Sequence, residues 1–288
     1  MKKNTILWIV AFVITVIMGY YQRATGPTYP VKGKTSIGTK EISYKLLRSH
    51  GGKGNQEIKI ETNDSDISGT LYYKRYKTND SWTPMKMVYR SGKLSAFLPH
   101  QPPAGKLEYF LELNKNNKTV KFPKRSVVIR FKGAIPLYVL IPHILAMFLA
   151  MFFSTRTGLE YFNENPNLKK LTLWTLAFLT VGGLILGPIV QKFAFGEYWT
   201  GFPYGHDLTD NKTVIAFGGW LIALFMYGKS KVPKIWAVFA SIILLLVYMI
   251  PHSAMGSELD YNKLDKQKSK TENLNSNNIN LKKYQGEI

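Results

Sequence analysis

Cysteine is absent from this 288-residue chain. Its absence excludes disulfides, thiolate metal sites, cysteine nucleophiles and c-type haem attachment, so a domain outside the cytoplasm must be held by its hydrophobic core alone. Histidine is scarce, with five copies, and 18 Asp and Glu face 38 Lys and Arg. A net charge of +20 would attract nucleic acid if it were gathered on one surface. The basic residues are instead spread along the chain, without a zinc-knuckle, RGG or recognition-helix pattern, so nucleic acid is not an expected partner. Also missing are a Walker A loop, a dinucleotide Gly-rich fingerprint, a Gly-x-Ser-x-Gly elbow and a His-Glu-x-x-His pair. No catalytic residue is assigned, and the balance of these absences leans away from an enzyme.

What is present is a set of long apolar runs at 5–21, 135–153, 171–190, 213–227 and 235–250, none containing Asp, Glu, Lys or Arg. A span needs about 20 mostly apolar residues, and the run at 213–227 is short enough to borrow its flanks. The runs carry no internal repeat and no buried charge, which argues against an ion-coupled transporter. Lys2 and Lys3 precede the first run, and no small-residue cleavage site follows it, so residues 1–21 are expected to be an uncleaved signal-anchor with a cytoplasmic N-terminus. Arg156, Lys169 and Lys170 in one short connection, and Lys229, Lys231 and Lys234 in another, then fall inside by the positive-inside rule. The connection 191–212 and the tail fall outside.

Residues 33–131 change period. EIKIET (57–62), TLYYKRYKT (70–78), PMKMVYR (84–90), KLSAFLP (93–99), KLEYFLEL (106–113), KTVKFP (118–123) and SVVIRF (126–131) are short runs rich in β-branched and aromatic residues, separated by Asn, Asp, Gly and Pro turns. That spacing predicts an antiparallel β-sandwich. The stretch KLSAFLPHQPPAGKLEYFLEL resembles the E–F corner of immunoglobulin and fibronectin-III-like modules, where a Pro/Gly turn precedes a strand opening with Tyr. The resemblance implies Tyr109 as the corner residue and a binding or spacing role for the module.

The fold class expected is therefore a multi-span α-helical membrane protein with five transmembrane helices and an inserted all-β extracytoplasmic domain. A four-helix membrane unit occupies 135–251, and a Lys/Asn-rich, apolar-poor tail at 262–288 is expected to be disordered. The composition points to a bacterial cytoplasmic (inner) membrane, with the sandwich in the periplasm. The expected partners are the lipid bilayer and an envelope protein.

The candidate chemistry gathers at the outer end. His143 lies eight residues into the second run, roughly 12 Å deep at 1.5 Å per residue. An ionisable group there must find a partner or line a cavity; the plainer alternative is an imidazole bonded to a neighbouring helix carbonyl freed by Pro142. His206, Asp207 and Asp210 precede the fourth run, where Asp210 reads first as a helix N-cap. His252, Glu258 and Asp260 follow the fifth. Imidazoles and carboxylates together suit a transition metal, with His206, Asp207, Asp210, Glu258 and Asp260 as candidate ligands. His143 and His252 are candidates for holding a cofactor such as haem b. Two functions remain: an envelope protein whose sandwich binds or positions a partner, or a membrane-embedded metal or haem protein, redox-active or not. The aromatics of Phe193–Tyr204 read as an interfacial belt.

Overall fold

A computed structural model describes residues 3–205, 207–251 and 258–271. Among the described residues the architecture is mixed: six α-helices, a further helical stretch at 261–271, a 3-10 turn, a π-helical turn and ten strands form two compact units. One unit comprises the described parts of Met1–Val31, Leu46–Gly54 and Phe131–Ser257; the other comprises those of Lys32–Lys45, Asn55–Arg130 and Glu258–Ile288.

The helical unit contains α1 (Lys3–Thr25), α2 (Leu137–Gly158), α3 (Leu168–Leu179), α4 (Gly187–Phe195), α5 (Leu208–Tyr227) and α6 (Pro233–Met249). A π-helical turn, Thr180–Leu186, joins α3 to α4, so that the helical path runs unbroken from Leu168 to Phe195. Three helical stretches among the described residues are long and apolar enough to cross a membrane: Lys3–Thr25, Leu137–Phe162 and Leu168–Phe195. α6 is apolar but shorter, with 17 residues, and α5 carries Asp210 and Lys212 near its start.

Pro233 opens α6 at a position where a missing N–H costs nothing. Gly196, at φ 90°, ends α4 in the left-handed conformation and returns its N–H to Lys192 O. The shared core is built from α2, α3, α5 and α6 around Trp220, Met151, Leu179 and Leu244. Gly183 faces Thr213 of α5, Gly182 faces Ala146 and Met147 of α2, and Gly218 has an open surface.

The β unit contains a hairpin, β1 (Val31–Ile37) with β2 (Lys40–Leu46), that the strand pattern did not single out. β4 (Gln56–Glu61), β8 (Lys93–Leu98) and β7 (Val88–Arg90) form one sheet in the order β4-β8-β7. β10 (Lys118–Lys132), β9 (Lys106–Lys115), β5 (Ser68–Arg75) and β6 (Thr83–Lys86) form the other, in the order β10-β9-β5-β6. The short β3 (Ser49–Gly51) belongs to the helical unit, where the following Gly52 N–H bonds Lys132 O at 3.0 Å.

Every strand pairing within these two sheets is antiparallel. The run expected at 84–90 divides around Met87, whose N–H bonds Gly69 O at 2.8 Å. The two runs expected at 118–123 and 126–131 form one bent strand, with a register shift between Phe122 and Val127. Alternation places Leu107, Tyr109, Leu111 and Leu113 of β9 in the core and Glu108, Phe110 and Glu112 on the opposite face. The two sheets meet at Gly69, where a Cβ would lie 3.1 Å from Leu94 of β8 and 3.2 Å from Leu113 of β9. Tyr109 is fully buried between Tyr73 and Val127.

The tail departs from expectation at its start. Residues 261–271 are helical and belong to the β unit. The polar composition from 262 onward hides this because the helix is anchored by Tyr261, 4% exposed, and not by an apolar stripe of its own.

Candidate functional site

The connection between α4 and α5 is built around two carboxylates. Asp207, expected to be free for a site, is the N-cap of α5: its Oδ1 accepts the Thr209 N–H at 2.7 Å. Asp210, expected to be the cap, instead clamps the loop. Its Oδ2 accepts the N–H groups of Thr200 at 2.7 Å and Gly201 at 2.9 Å, and the amide of Gln191 at 3.2 Å. The exchange follows from helix geometry. The cap must precede the first helical residue, which is Leu208, so Asp210 lies one turn inside and faces back across the loop.

Thr200 Oγ1 lies 3.2 Å from Asp207 Oδ2 and 3.4 Å from Asp210 Oδ2, so the structure does bring these two carboxylates to one group. Lys212, 6% exposed, donates to Ile250 O at 2.8 Å at the end of α6. Gln191 and Thr200 carry no pattern in the sequence that marks them, since their partner Asp210 lies 19 and 10 positions away. The rings of Tyr198, Phe202 and Tyr204 turn outward, at 58%, 78% and 85% exposure.

His143 is half-buried, with Nδ1 2.9 Å from Gly182 O. Its partner is a carbonyl of the π-helical turn, where the wider hydrogen-bond spacing breaks the regular helical ladder. Glu258 and Asp260 belong to the β unit, and Asp207 and Asp210 to the helical unit. Glu258 pairs with Lys77 at 2.7 Å and Lys106 at 2.5 Å. Asp260 Oδ1 caps the tail helix, accepting from the N–H groups of Asn262 and Lys263. His206 and His252 lie outside the described residues. Among the described residues, no three His, Cys, Asp or Glu side chains are grouped to hold a metal ion.

Two further constellations were missed. The apolar runs were read as free of buried charge because Arg156 was assigned to a connecting loop. α2 instead continues to Gly158, and Arg156 pairs with Glu160 at 2.6 Å with side chains 1% and 2% exposed. Arg156 also bonds Asn4 and lies over the Trp8 ring of α1 at 4.9 Å, while Glu160 accepts the Asn167 N–H at 3.0 Å. The available signal was the i,i+4 spacing of Arg156 and Glu160 immediately after an apolar run.

The second is on the β unit. On the face of β5 and β9 away from the core, Tyr72 stacks on Phe110 at 4.9 Å and Trp82 meets Phe110 edge-on at 4.8 Å. Lys74 lies over Trp82 at 5.1 Å and Lys121 over Phe110 at 3.8 Å. The period-2 alternation carries the signal, since it places Phe110 between Glu108 and Glu112 on the outward face.

No family model matches the chain, and no curated protein matches it. Among solved structures it is similar to one described as the crystal structure of the Br derivative of BhCBM56, with 15% identity, 36% of this chain and 92% of that chain covered, and a TM-score of 0.22. A likeness at that score carries no argument about fold or activity.

Proposed function

We propose that this chain is an integral membrane protein of a bacterial envelope, whose β unit binds or positions a protein partner outside the cytoplasm while the helices anchor it. The carrying observation is the aromatic cluster on this face of the sheet, in which half-buried Tyr72 and Trp82 cover Phe110, itself 6% exposed, and Lys74 and Lys121 flank them. Aromatic side chains are enriched at interfaces because they supply large, stiff contact area, and desolvated ones commonly carry about 2 kcal/mol or more of binding energy. The reading asks for recognition and not for catalysis. No observation among the described residues favours the metal or haem alternative.

Five crossings are supported by connectivity. Residues 55–130 and 258–271 share one compact unit, so the chain leaves and re-enters that unit on one side of a membrane. The segment between must cross an even number of times, and α5 and α6 therefore cross together or not at all. The exposed apolar rings along α5 and α6, such as Phe225 at 61% and Phe239 at 58%, favour crossing.

The chain has no cysteine, which makes single-cysteine labelling direct. An impermeant maleimide on cells with a permeabilised outer membrane is expected to label Asp66→Cys and Ser269→Cys but not Ser230→Cys. Labelling of Ser230→Cys would remove the α5–α6 crossings. For the partner, a photo-crosslinker at Lys86 should yield one reproducible protein adduct that Trp82→Ala reduces at least tenfold. Adducts to lipid alone, or a protein adduct unaffected by Trp82→Ala, would sink the partner reading.

A further inference from the structure

The segment 258–271 meets a receptor built on the β unit. Glu258 is held by Lys77 Nζ on one carboxylate oxygen and Lys106 Nζ on the other, at 2.7 and 2.5 Å. Both ammonium groups also lie over the ring of Tyr76, at 5.5 and 5.6 Å. The next residue uses its backbone: Leu259 N–H donates to Ala104 O at 3.2 Å. Tyr261 is inserted most deeply. Its hydroxyl lies 2.9 Å from Gln101 Oε1 and 3.1 Å from Lys106 O, and Arg75 lies over its ring at 5.2 Å. Arg75 in turn pairs with Asp265 at 2.8 Å and Asp80 at 2.6 Å.

The receiving turn carries marks of a built site. Ala104 has φ 66°, a left-handed conformation uncommon for a residue with a side chain, and it presents the carbonyl that Leu259 meets. A Cβ on Gly105 would lie 2.8 Å from Gln101 Cβ and Pro102 O and 2.9 Å from the Tyr261 hydroxyl, so the turn itself and the seated phenol both use the space that a glycine leaves. A cavity of about 300 Å³ remains beside the segment, lined by Tyr76, Lys77, Lys106 and residues 258–261. That is near the lower end of ligand-pocket volumes. The contacts combine one buried aromatic anchor with charges of graded exposure, 16% for Lys106 but 64% for Lys77 and 47% for Asp265. The more exposed pairs hold weakly, which suits an occupant that exchanges.

We propose that this groove is a peptide-binding site for acidic–aromatic segments of Glu-x-x-Tyr spacing, and that the chain's own residues 258–261 occupy it in cis. A partner carrying the same chemistry competes with the tail and frees it. The groove is separate from the Trp82–Phe110–Tyr72 row, and neither reading depends on the other.

The test uses the full chain in detergent and a labelled synthetic peptide with the sequence of 258–271. A tethered occupant acts at an effective concentration in the millimolar range, so the unaltered chain is expected to bind the free peptide poorly. Tyr261→Ala, which removes the anchor, should raise apparent affinity at least tenfold. Lys106→Gln in that background should abolish the gain, and a peptide with its own tyrosine replaced by alanine should not bind. A second chain, Glu258→Gln with Asp265→Asn, keeps the buried ring and should show a smaller gain, so the test stands if Tyr261→Ala misfolds. Equal peptide binding by the altered and unaltered chains, or binding indifferent to Lys106→Gln, overturns the proposal.

Discussion

The two units turn different things outward. The β unit keeps leucine, isoleucine and tyrosine inside and exposes ion pairs such as Lys34–Glu41, with side chains 64% and 60% exposed, although it also buries Arg130 at 5% and shelters Lys115–Asp64 at 25% and 15%. The helical unit hides the Arg156–Glu160 pair and turns Phe12, Leu137 and Phe225 outward at 60%, 67% and 61% exposure. In water the cheapest arrangement places charge outside and hydrocarbon inside. Among lipid tails, apolar side chains cost nothing on the outside, and polar groups must find partners within the protein. The outward rings of the helical unit are what the proposed lipid setting calls for, and the outward charges of the β unit are what water calls for.

Removing one member of the buried pair should have the largest effect. Glu160→Ala leaves the Arg156 guanidinium buried without its carboxylate, and thermal unfolding in detergent is expected to show a loss of about 3–5 kcal/mol. Replacing both, Arg156→Met with Glu160→Leu, should recover most of that loss; no recovery would mean the pair does more than compensate charge. In the β unit, the comparable damage is a cavity. Leu111→Ala should cost about 2–5 kcal/mol, and a cost well under that would show that the two sheets do not share one core.

The loop between α4 and α5 gives a finer test within the helical unit. Asp210→Ala strands the buried N–H groups of Thr200 and Gly201 and should cost about 1–3 kcal/mol. Asp207→Ala loses the helix cap and the bond from the Thr200 hydroxyl but strands no loop N–H, and should cost less, at about 1 kcal/mol. The reverse order, measured by the same unfolding, would return the clamp role to Asp207.

The smallest effect is the tail's response to acid. Arg75 beside Asp80 holds that carboxyl below the usual carboxylate range. Burial alone would raise Glu258, but the bonds from Lys106 and Lys77 outweigh it and leave it below its ordinary value. Both folded-state values are lowered, so each contribution is present above the ordinary carboxylate range and fades as pH falls through the folded values. Because both groups are about a third exposed, each accounts for less than about 1 kcal/mol. Proteolysis within 258–271 should therefore quicken modestly in acid, and quickening toward alkaline pH instead would assign the attachment to other groups.

Much of the fold could be read directly from residue patterns. Apolar runs named all the long helices, and period-2 alternation named most strands and the inward set of β9. Misreadings arose where a residue's partner lies far along the chain or just across a boundary. Asp207 and Asp210 exchanged roles because the helix begins at Leu208, a one-residue matter that patterns do not resolve. Arg156 was assigned to solvent because α2 runs farther than its apolar stretch. Residues 262–271 were assigned to disorder because the segment is held by Gln101, Arg75 and Lys106, more than 150 positions earlier.

By itself, then, the sequence determined which stretches are apolar, which alternate, where turns fall and that no thiol chemistry is available. Those are local properties, set by side-chain solvation and backbone preference within a few residues. Tertiary structure alone decided that Asp210 clamps a loop, that Glu160 neutralises a buried arginine, and that Tyr261 fills a groove beside Gly105. Each depends on a second group brought near by the fold, and the energy of a hydrogen bond or ion pair exists only once both members occupy the same place.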